Sequence, residues 1–461
     1  MGSLKEACGV FGIFSPQAGD VSQACYKALY ALQHRGQEGC GIAFNTDGVL
    51  SVTKDVGLVG EVFDRPPLHA DGCTRMAIAH TRYGTSGEGS PENVQPLVFH
   101  HMLGSLALAH NGNLTNDAKL RNSLELKGSL FHSSSDTEIM AHVLTGHRLH
   151  TSTLEEAVVK MMGEVEGAYS MLVMSEDSLI AIRDPYGFRP LCLGKMEDGY
   201  VFASESCALD AVGAQFIRDI DPGEVCIIDG NTGTIHSNRT YCGTKPSSLC
   251  VFELIYFARP DSVIDTISVH EARIRSGAFL ALEHPAQADV VIGVPDSGID
   301  AAIGYARQSG IPYGIGFIKN KYIGRTFIQP RQGERESTVR IKLNPISSTV
   351  RGKRVVLIDD SIVRGTTSKR IVHLLREAGA KEVHLRSSAP PFLFPCYYGT
   401  DIDSKDDLFA CRHDHAAMEK ILAVDSLGFL TTDQVVKLSD HPGIGFCRAC
   451  FTGEYPCSRA Q

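Results

Sequence analysis

The chain has 461 residues and a formal net charge of −9. This length suggests roughly two to three domains, and the acidic balance excludes a broad nucleic-acid surface. No apolar run reaches the length of a membrane span, and residues 1–7 are too short and polar for a secretory signal or transit peptide. Fourteen cysteines in such a chain indicate mostly buried thiols. Composition predicts a cytoplasmic protein with neither a membrane nor a nucleic-acid partner.

Strand and helix signals alternate along the first third of the chain, with polar, glycine-rich segments between them. The predicted elements are a strand at 9–14, a helix at 23–32, a strand leading into a turn at 77–85, a strand at 106–114 and a capped helix at 133–144. Each signal alone has an ordinary explanation. Cys8 could be a simple thiol, Arg82 could pair with any carboxylate, and Asn111-Gly112 could be a hairpin turn.

Five segments, taken together and in order, resemble the glutaminase domain of the N-terminal-nucleophile (class II) amidotransferases. They are Cys8-Gly9-Val10-Phe11-Gly12, Gln33-His34-Arg35-Gly36, His80-Thr81-Arg82, His110-Asn111-Gly112 and Ser135-Asp136-Thr137-Glu138. The resemblance covers most of the first half. It implies an α+β domain with αββα layers.

This resemblance implies that Cys8 is the nucleophile. A thiol must lose its proton before it attacks, and removal of residues 1–7 as a propeptide would free the α-amino group of Cys8 as a base, titrating near ~8. The family further implies Arg82 for the glutamine α-carboxylate, Asp136 for its α-ammonium, Asn111 and Gly112 for the oxyanion, and Arg35 for the pocket wall. A retained leader would leave the thiol without its base.

Residues 178–240 predict strands and turns that complete a sandwich-like core. The predicted strands are 179–182, 200–203 and 225–228, with a hairpin turn at Asn231-Thr232-Gly233. The polar stretch 240–248 then marks a boundary. We therefore expect one domain at 8–240 and a second at 245–461.

The second half contains two strand-loop-helix units. After a helix at 269–282, the first unit has a strand at 290–294, the loop Asp296-Ser297-Gly298 and a helix at 299–308. The second unit has a strand at 355–358, the pair Asp359-Asp360, the turn Gly365-Thr366-Thr367 and a helix at 368–378. A parallel sheet would bring both loops to one edge. The carboxylates would repel a bare phosphate, whereas the loop would attract one, so a sugar phosphate with hydroxyls or Mg²⁺ at one end fits both. The alternative is a buried strand followed by a polar turn.

The run 355–367 resembles the phosphoribosyl pyrophosphate (PRPP) motif of type I phosphoribosyltransferases, which are α/β domains with a parallel sheet. The resemblance implies a pyrophosphate loop at Asp296, Ser297 and Gly298. It also implies PRPP contacts from Asp359, Asp360, Arg364, Gly365, Thr366 and Thr367. Ser297, Asp359 and Asp360 match the positions that bind one Mg²⁺ per subunit.

Residues 319–342 form a strongly basic segment in an acidic chain. We interpret it as a flap that closes over PRPP, excludes water and completes an ammonia passage. A solvated surface loop is the plain alternative. Nucleic-acid binding is disfavoured because the run is short and isolated.

Cys447 and Cys450 form a Cys-x-x-Cys pair, which suits a metal or a redox role. Cys250 and Cys396 lie in segments that resemble the iron-sulfur type of the same amidotransferases. Four thiolates would fit a [4Fe–4S] cluster or, alternatively, Zn²⁺. The remaining alternative is a set of unligated thiols.

The chain as a whole resembles the glutamine PRPP amidotransferase family, of the propeptide-processed, iron-sulfur type. The implied pentosyltransferase reaction converts glutamine, PRPP and water to 5-phosphoribosylamine, glutamate and pyrophosphate, the entry step of purine synthesis. The family also implies feedback inhibition by purine nucleotides and a homotetramer. The alternatives are a glucosamine-6-phosphate-type synthase, a base phosphoribosyltransferase, and a nucleotide sensor with a retained leader.

Overall fold

The computed structural model describes residues 8–16, 21–64, 74–83, 90–320, 343–400, 402 and 404–457. Two predicted features lie outside the described residues. They are the leader, residues 1–7, and most of the basic segment, residues 321–342.

Two antiparallel sheets stack face to face in the N-terminal half. The seven-stranded sheet has the spatial order Gln215–Asp219, Cys192–Lys195, Tyr200–Ala203, Gly9–Phe14, Thr74–Arg82, Gly39–Thr46 and Val49–Val56. The six-stranded sheet has the order Ile235–Asn238, Val225–Asp229, Ser178–Arg183, Gly167–Met174, Gly104–Leu114 and Leu97–His101.

The strand Gly9–Phe14 shows why both faces of its sheet are covered. Its side chains Val10 and Phe14 pack in the core between the two sheets. Phe11 and Ile13 pack in a second core together with residues of the helix Val21–Ala31. Successive side chains of a strand point to opposite faces. A strand with no polar residue therefore belongs between two apolar layers.

Helices cover the outer faces of both sheets. The helices of this half are Val21–Ala31, Val59–Val62, Asp117–Leu126, Asp136–Arg148, Leu154–Met162 and Ser206–Val212, with a 3₁₀ turn at Pro91–Asn93. Val21–Ala31 packs on the seven-stranded sheet, while Asp136–Arg148 and Leu154–Met162 pack on the six-stranded one. This arrangement confirms the predicted αββα layers.

The C-terminal half is built on a parallel sheet, as predicted. Its four strands follow the spatial order Val290–Gly293, Arg354–Asp359, Glu382–Ser387 and Ser426–Phe429. Its helices are Val269–Glu283, Gly298–Ser309, Ser347–Val350, Thr366–Glu377, Phe409–Arg412, His415–Leu422, Thr432–Val435 and Ala449–Thr452, with a π-helical turn at Glu253–Phe257 and a 3₁₀ turn at Lys405–Asp407. The described residues of this half also form three two-stranded pairs: Leu249–Cys250 with Phe446–Cys447, Val263–Ile264 with Ile267–Ser268, and Phe317–Lys319 with Leu343–Pro345.

The structure shifts one predicted helix boundary and excludes one alternative from the sequence analysis. The helix expected at 368–378 spans Thr366–Glu377, because Gly365 adopts a positive φ of 74° and already serves as its N-cap. The hairpin-turn alternative for Asn111 and Gly112 is wrong. Both residues lie inside the strand Gly104–Leu114, paired with Ser170 and Tyr169.

Across the described ranges, no helix is both long and apolar enough to cross a membrane.

Candidate active sites and the four-cysteine cavity

Cys8 lies at the start of the strand Gly9–Phe14, beside the end of the strand Thr74–Arg82. The Tyr83 N–H donates to Cys8 Sγ over 3.4 Å, and the thiol can donate to the Tyr83 carbonyl over 3.5 Å. Burial raises the pKa of the Cys8 thiol, and the Tyr83 backbone, Arg82 and Arg35 only partly offset this. The thiol therefore needs a base before it can act as a nucleophile at neutral pH.

Asp136 is the first residue of the helix Asp136–Arg148, whose N-cap Ser135 accepts a hydrogen bond from the Thr137 N–H. The Asp136 carboxylate accepts a hydrogen bond from the Leu114 N–H (3.0 Å) and lies 3.4 Å from His110 Nδ1. Burial works to raise the pKa of Asp136, but His110 and the backbone donors outweigh it and hold the pKa below its usual value. The carboxylate stays charged close to Cys8, where it can attract a cationic group.

Asn111 and Gly112 follow His110 on the strand Gly104–Leu114. Asn111 is 1% exposed, and its Nδ2 has no hydrogen-bond partner among the described residues. A buried amide without a partner is costly, so this donor is available to a ligand. Gly112 has a φ of 146°, and a Cβ there would lie 2.0 Å from the Ala168 carbonyl oxygen. Only glycine fits at this position.

Arg35 lies beside Cys8, but its guanidinium faces carboxylates of the protein. Its Nε donates to the Cys8 carbonyl (3.0 Å) and its Nη1 to Glu205 (2.5 Å). Both Nη atoms also donate to Glu253, over 2.9 and 2.8 Å. These contacts use all three guanidinium nitrogens, so the Arg35 side chain links the backbone of Cys8 to the carboxylates of Glu205 and Glu253. Sequence reasoning missed Glu205 and Glu253. Glu253 is a single acid inside the apolar run Val251–Phe257, and that was a usable signal.

The acidic pair Asp359 and Asp360 lies at the carboxyl end of the strand Arg354–Asp359, as predicted. Ser297 Oγ, at the start of the helix Gly298–Ser309, donates to Asp360 Oδ1 over 2.6 Å. The two strand-loop-helix units therefore meet where the parallel sheet was expected to bring them. The fit is tight, because a Cβ on Gly298 would lie 2.5 Å from the carbonyl oxygen of Ile358.

Burial raises the pKa values of both Asp359 and Asp360, and the Asp360 charge raises that of Asp359 further. Hydroxyl groups compensate in part: Ser361 donates to Asp360 (2.6 Å) and Ser368 to Asp359 (3.4 Å). Ser361 and Ser368 are site residues that the sequence analysis did not single out. Two repelling, buried carboxylates are a fitting place for a divalent cation.

The loop that follows places its predicted residues at a helix N-terminus. Thr366 and Thr367 open the helix Thr366–Glu377, whose N-cap is Gly365. A Cβ on Gly365 would come within 2.9 Å of the Phe409 ring, so glycine is required by both space and φ. Arg364 lies 3.9 Å from Asp407, and Asp296 forms an ion pair with Lys319 (2.5 Å). The helix N-terminus attracts phosphate.

Cys250, Cys396, Cys447 and Cys450 line one interior cavity, together with aromatic side chains that include Phe188, Phe252 and Phe392. Parallel pairing of Leu249–Cys250 with Phe446–Cys447 aligns Cys250 directly with Cys447. Burial and the neighbouring thiols raise the pKa values of Cys447 and Cys450 well above the usual range. Burial raises that of Cys250 to about 11, against the lowering effect of Arg189.

Within the part of the chain that is described, no three His, Cys, Asp or Glu side chains are arranged to hold a metal ion. The four thiols nevertheless share one cavity. Around zinc, each sulfur must come within about 2.3 Å of a single centre. An iron-sulfur cluster also takes four cysteine thiolates, one on each iron atom, so the donor set of the cavity fits either group.

Comparison with known proteins finds a related domain family for each half of the chain. Residues 80–211 match a family described as a glutamine amidotransferase domain, and residues 264–390 match the phosphoribosyl transferase domain family. Curated amidophosphoribosyltransferases are 47% identical over 463 residues in Methanocaldococcus jannaschii (97% of each chain) and 48% identical over 460 residues in Bacillus subtilis (98% of this chain, 94% of the relative).

Two solved structures superpose over nearly the whole chain. One is glutamine PRPP amidotransferase from B. subtilis complexed with ADP and GMP, with a TM-score of 0.90, 47% identity and 98% of both chains covered. The other is described as the allosteric regulatory enzyme of purine biosynthesis, with a TM-score of 0.91, 48% identity, and coverage of 98% of this chain and 97% of that one. The chain belongs to the amidophosphoribosyltransferase family, the glutamine amidotransferases and pentosyltransferases that carry out glutamine-dependent amination of PRPP in purine biosynthesis.

Proposed function

We propose that residues 8–240 form the glutaminase domain and residues 245–461 the phosphoribosyltransferase domain, with Cys8 as the nucleophile after removal of residues 1–7. The observation that carries this is the buried Asn111 Nδ2, which has no hydrogen-bond partner among the described residues. The α-amino group of a processed Cys8 would supply the base that the raised thiol pKa demands.

For recognition of glutamine we propose two residues of opposite charge, both close enough to act on the Cys8 thiol. Arg82 would bind the α-carboxylate through two hydrogen bonds, and Asp136 would bind the α-ammonium. The low pKa of Asp136 supports this role, because the carboxylate must be ionised to attract a cation. Arg35 supports the pocket from behind, since its nitrogens bind Cys8, Glu205 and Glu253.

Charge that develops on the glutamine amide oxygen would be stabilised by Asn111 Nδ2 and the Gly112 N–H. An orphaned, buried donor is preorganised for this purpose, because no protein acceptor must be displaced. Ammonia released here would pass through the interior to C1 of PRPP, away from water that would protonate it.

For PRPP, we propose that Asp359, Asp360 and Ser297 hold one Mg²⁺ per subunit. When bound, the ion supplies positive charge to the departing pyrophosphate. The loop residues Asp296 and Gly298 would contact the pyrophosphate, and the run Arg364, Gly365, Thr366 and Thr367 would bind the 5′-phosphate end at the helix N-terminus.

At the four-cysteine cavity we propose a [4Fe–4S] cluster, with Zn²⁺ as the alternative. Cys250, Cys396, Cys447 and Cys450 would be its ligands. Such a cluster would supply covalent links between separate segments, and we propose a structural role. We also propose inhibition by purine nucleotides, a homotetramer and a cytoplasmic location. The nucleotide complex of the B. subtilis relative supports the first of these.

Intact mass and the visible spectrum of anaerobically purified protein test the processing and the cluster together. We expect loss of residues 1–7, brown absorbance and four iron atoms per chain. A full-length, colourless protein would contradict both proposals. It would favour a nucleotide sensor whose leader leaves Cys8 unactivated.

Replacement of the nucleophile tests the catalytic assignment. Cys8→Ser should lower glutamine-dependent synthesis of phosphoribosylamine at least about 10³-fold. Synthesis with added ammonia should stay within twofold of the unmodified enzyme, because ammonia bypasses the glutaminase site. Cys25→Ser, at a buried thiol of the helix Val21–Ala31, is the matched control. Unchanged glutamine-dependent synthesis in Cys8→Ser would exclude Cys8 as the nucleophile.

A further inference from the structure

A fully buried carboxylate of the C-terminal half joins the two halves of the chain. Glu253 lies in the π-helical turn Glu253–Phe257 and its side chain has no solvent exposure. It accepts hydrogen bonds from Arg35 over 2.9 and 2.8 Å and from Arg189 over 2.9 Å. Both arginines belong to the N-terminal half and are fully buried. A carboxylate in this position is fixed in place by three charge-assisted hydrogen bonds.

From Glu253 the contacts continue to the nucleophile. The Arg35 Nε donates to the carbonyl oxygen of Cys8 over 3.0 Å. Only one side chain therefore separates Glu253 from the backbone of Cys8. Arg35 is planar and rigid at its guanidinium, so the position of Glu253 limits where the Cys8 carbonyl can lie.

On its other side Glu253 is linked to the four-cysteine cavity. Cys250 lies three residues before Glu253 in the sequence. Arg189, which binds Glu253, also donates from Nη2 to the carbonyl of Tyr398 over 2.8 Å, and Tyr398 lines the cavity. The same segment reaches the proposed oxyanion strand, because Asn113 Nδ2 donates to the Tyr397 carbonyl over 3.1 Å. A Cβ on Gly399 would lie 3.2 Å from the carbonyl carbon of Gly112. The C-terminal half thus contacts both the nucleophile's backbone support and the oxyanion strand.

We propose that Glu253 is a positioning residue for the glutaminase reaction and sets the placement of Cys8 through Arg35. The proposal rests on the proposed role of Cys8 as the nucleophile. Glu253 touches no substrate in this scheme. Its effect comes from geometry: a shift of about 1 Å at a reacting atom is enough to lower a rate by about 10²-fold.

Glu253→Gln keeps the size of the side chain and removes its charge, so it tests the proposal directly. We expect kcat for glutamine-dependent synthesis to fall about 10²-fold and the KM for glutamine to change less than threefold. Ammonia-dependent synthesis, measured in the same preparation, should stay within twofold. A loss of glutamine-dependent synthesis alone indicates misplacement of Cys8, because general destabilisation of the protein would lower both activities.

The matched control is another ion pair between the halves. Arg183 is fully buried and binds Asp265 over 2.7 and 2.8 Å. It also donates to the carbonyl groups of Gly187, Arg189 and Ile220, and none of these described residues is hydrogen-bonded to Cys8. Asp265→Asn should leave both activities within threefold of the unmodified enzyme. An equal loss in Asp265→Asn and Glu253→Gln would overturn the proposal, because any broken contact between the halves would then suffice.

Arg35→Lys covers the case in which Glu253→Gln does not fold. It keeps the positive charge for the carboxylates but cannot also hold the Cys8 carbonyl, and we expect the same selective loss of glutamine-dependent kcat. Full glutamine-dependent activity in either variant would refute the positioning role. The Cys8→Ser variant shows which proposal has failed. If it also retains glutamine-dependent synthesis, the assignment of Cys8 as the nucleophile is wrong. If it loses that synthesis, only the positioning role of Glu253 is wrong.

Discussion

Around Cys8 the buried charges of the protein are matched by other charges of the protein. At the parallel sheet they are not. Arg35 binds Glu205 and Glu253, and Asp136 faces His110. Asp359 and Asp360 accept hydrogen bonds from serine hydroxyls, and no described Lys or Arg forms an ion pair with them. The charges of the first site are balanced within the chain itself, whereas for the second we propose that a divalent cation supplies the balancing charge.

The largest expected effect tests this dependence on a cation. The double variant Asp359→Asn with Asp360→Asn should lower both glutamine- and ammonia-dependent synthesis at least about 10³-fold, because it removes the charge that would hold Mg²⁺ against pyrophosphate. Asp289→Asn is the matched control, since Asp289 pairs with Arg354 at the opposite end of the same strand. A double variant with normal ammonia-dependent synthesis would remove the acidic pair from the reaction.

A smaller effect is expected at the self-assembled site. Asn111→Ala should lower kcat for glutamine-dependent synthesis about 10²-fold through loss of one oxyanion donor, with ammonia-dependent synthesis unchanged. Asn45→Ala removes a buried asparagine of the same sandwich that binds the carbonyl groups of Ser175 and Glu176. That control should cost stability only. Similar kcat values for the two variants would count against the oxyanion role.

The smallest effect concerns stability and its dependence on pH. Burial raises the pKa values of Asp359 and Asp360 above their unfolded values near ~4. The folded state therefore binds more protons than the unfolded state above that pH, and this contribution to stability falls as pH rises. Mg²⁺ should relieve the repulsion, so its stabilising effect should be larger at pH 7 than at pH 5, by about 1–3 kcal/mol at saturating metal.

Thermal unfolding with and without Mg²⁺ at the two pH values measures this difference. The Asp359→Asn, Asp360→Asn double variant should show no gain from Mg²⁺ at either pH. A gain from Mg²⁺ that is independent of pH would place the ion elsewhere in the protein.

Sequence reasoning succeeded where local chain geometry controls the result. Four apolar residues before Asp359 predicted a buried strand, and the parallel-sheet rule correctly placed Ser297 next to Asp360. The alternation after Cys8 predicted a strand, and the structure has one at Gly9–Phe14. These inferences need only neighbouring residues and the regular geometry of sheets.

It was incomplete where charges distant in the chain meet. Arg35 was expected only in the glutamine pocket wall, yet its described partners include Glu253, 218 positions away in the sequence. No periodicity carries information about such a pair. The one available signal was local: Glu253 interrupts an apolar run, and a buried acid requires a cation somewhere in the fold.

The parallel pairing of Cys250 with Cys447 also constrains how the protein comes into being. These residues are roughly 200 positions apart, and the whole parallel sheet lies between them in sequence. Contacts of such long range form slowly, since loop closure must precede any gain from pairing. The cysteine cavity therefore depends on a contact that closes around the whole parallel sheet. The cluster that we propose there would find its full set of cysteine ligands only in a chain whose C-terminal half is nearly complete.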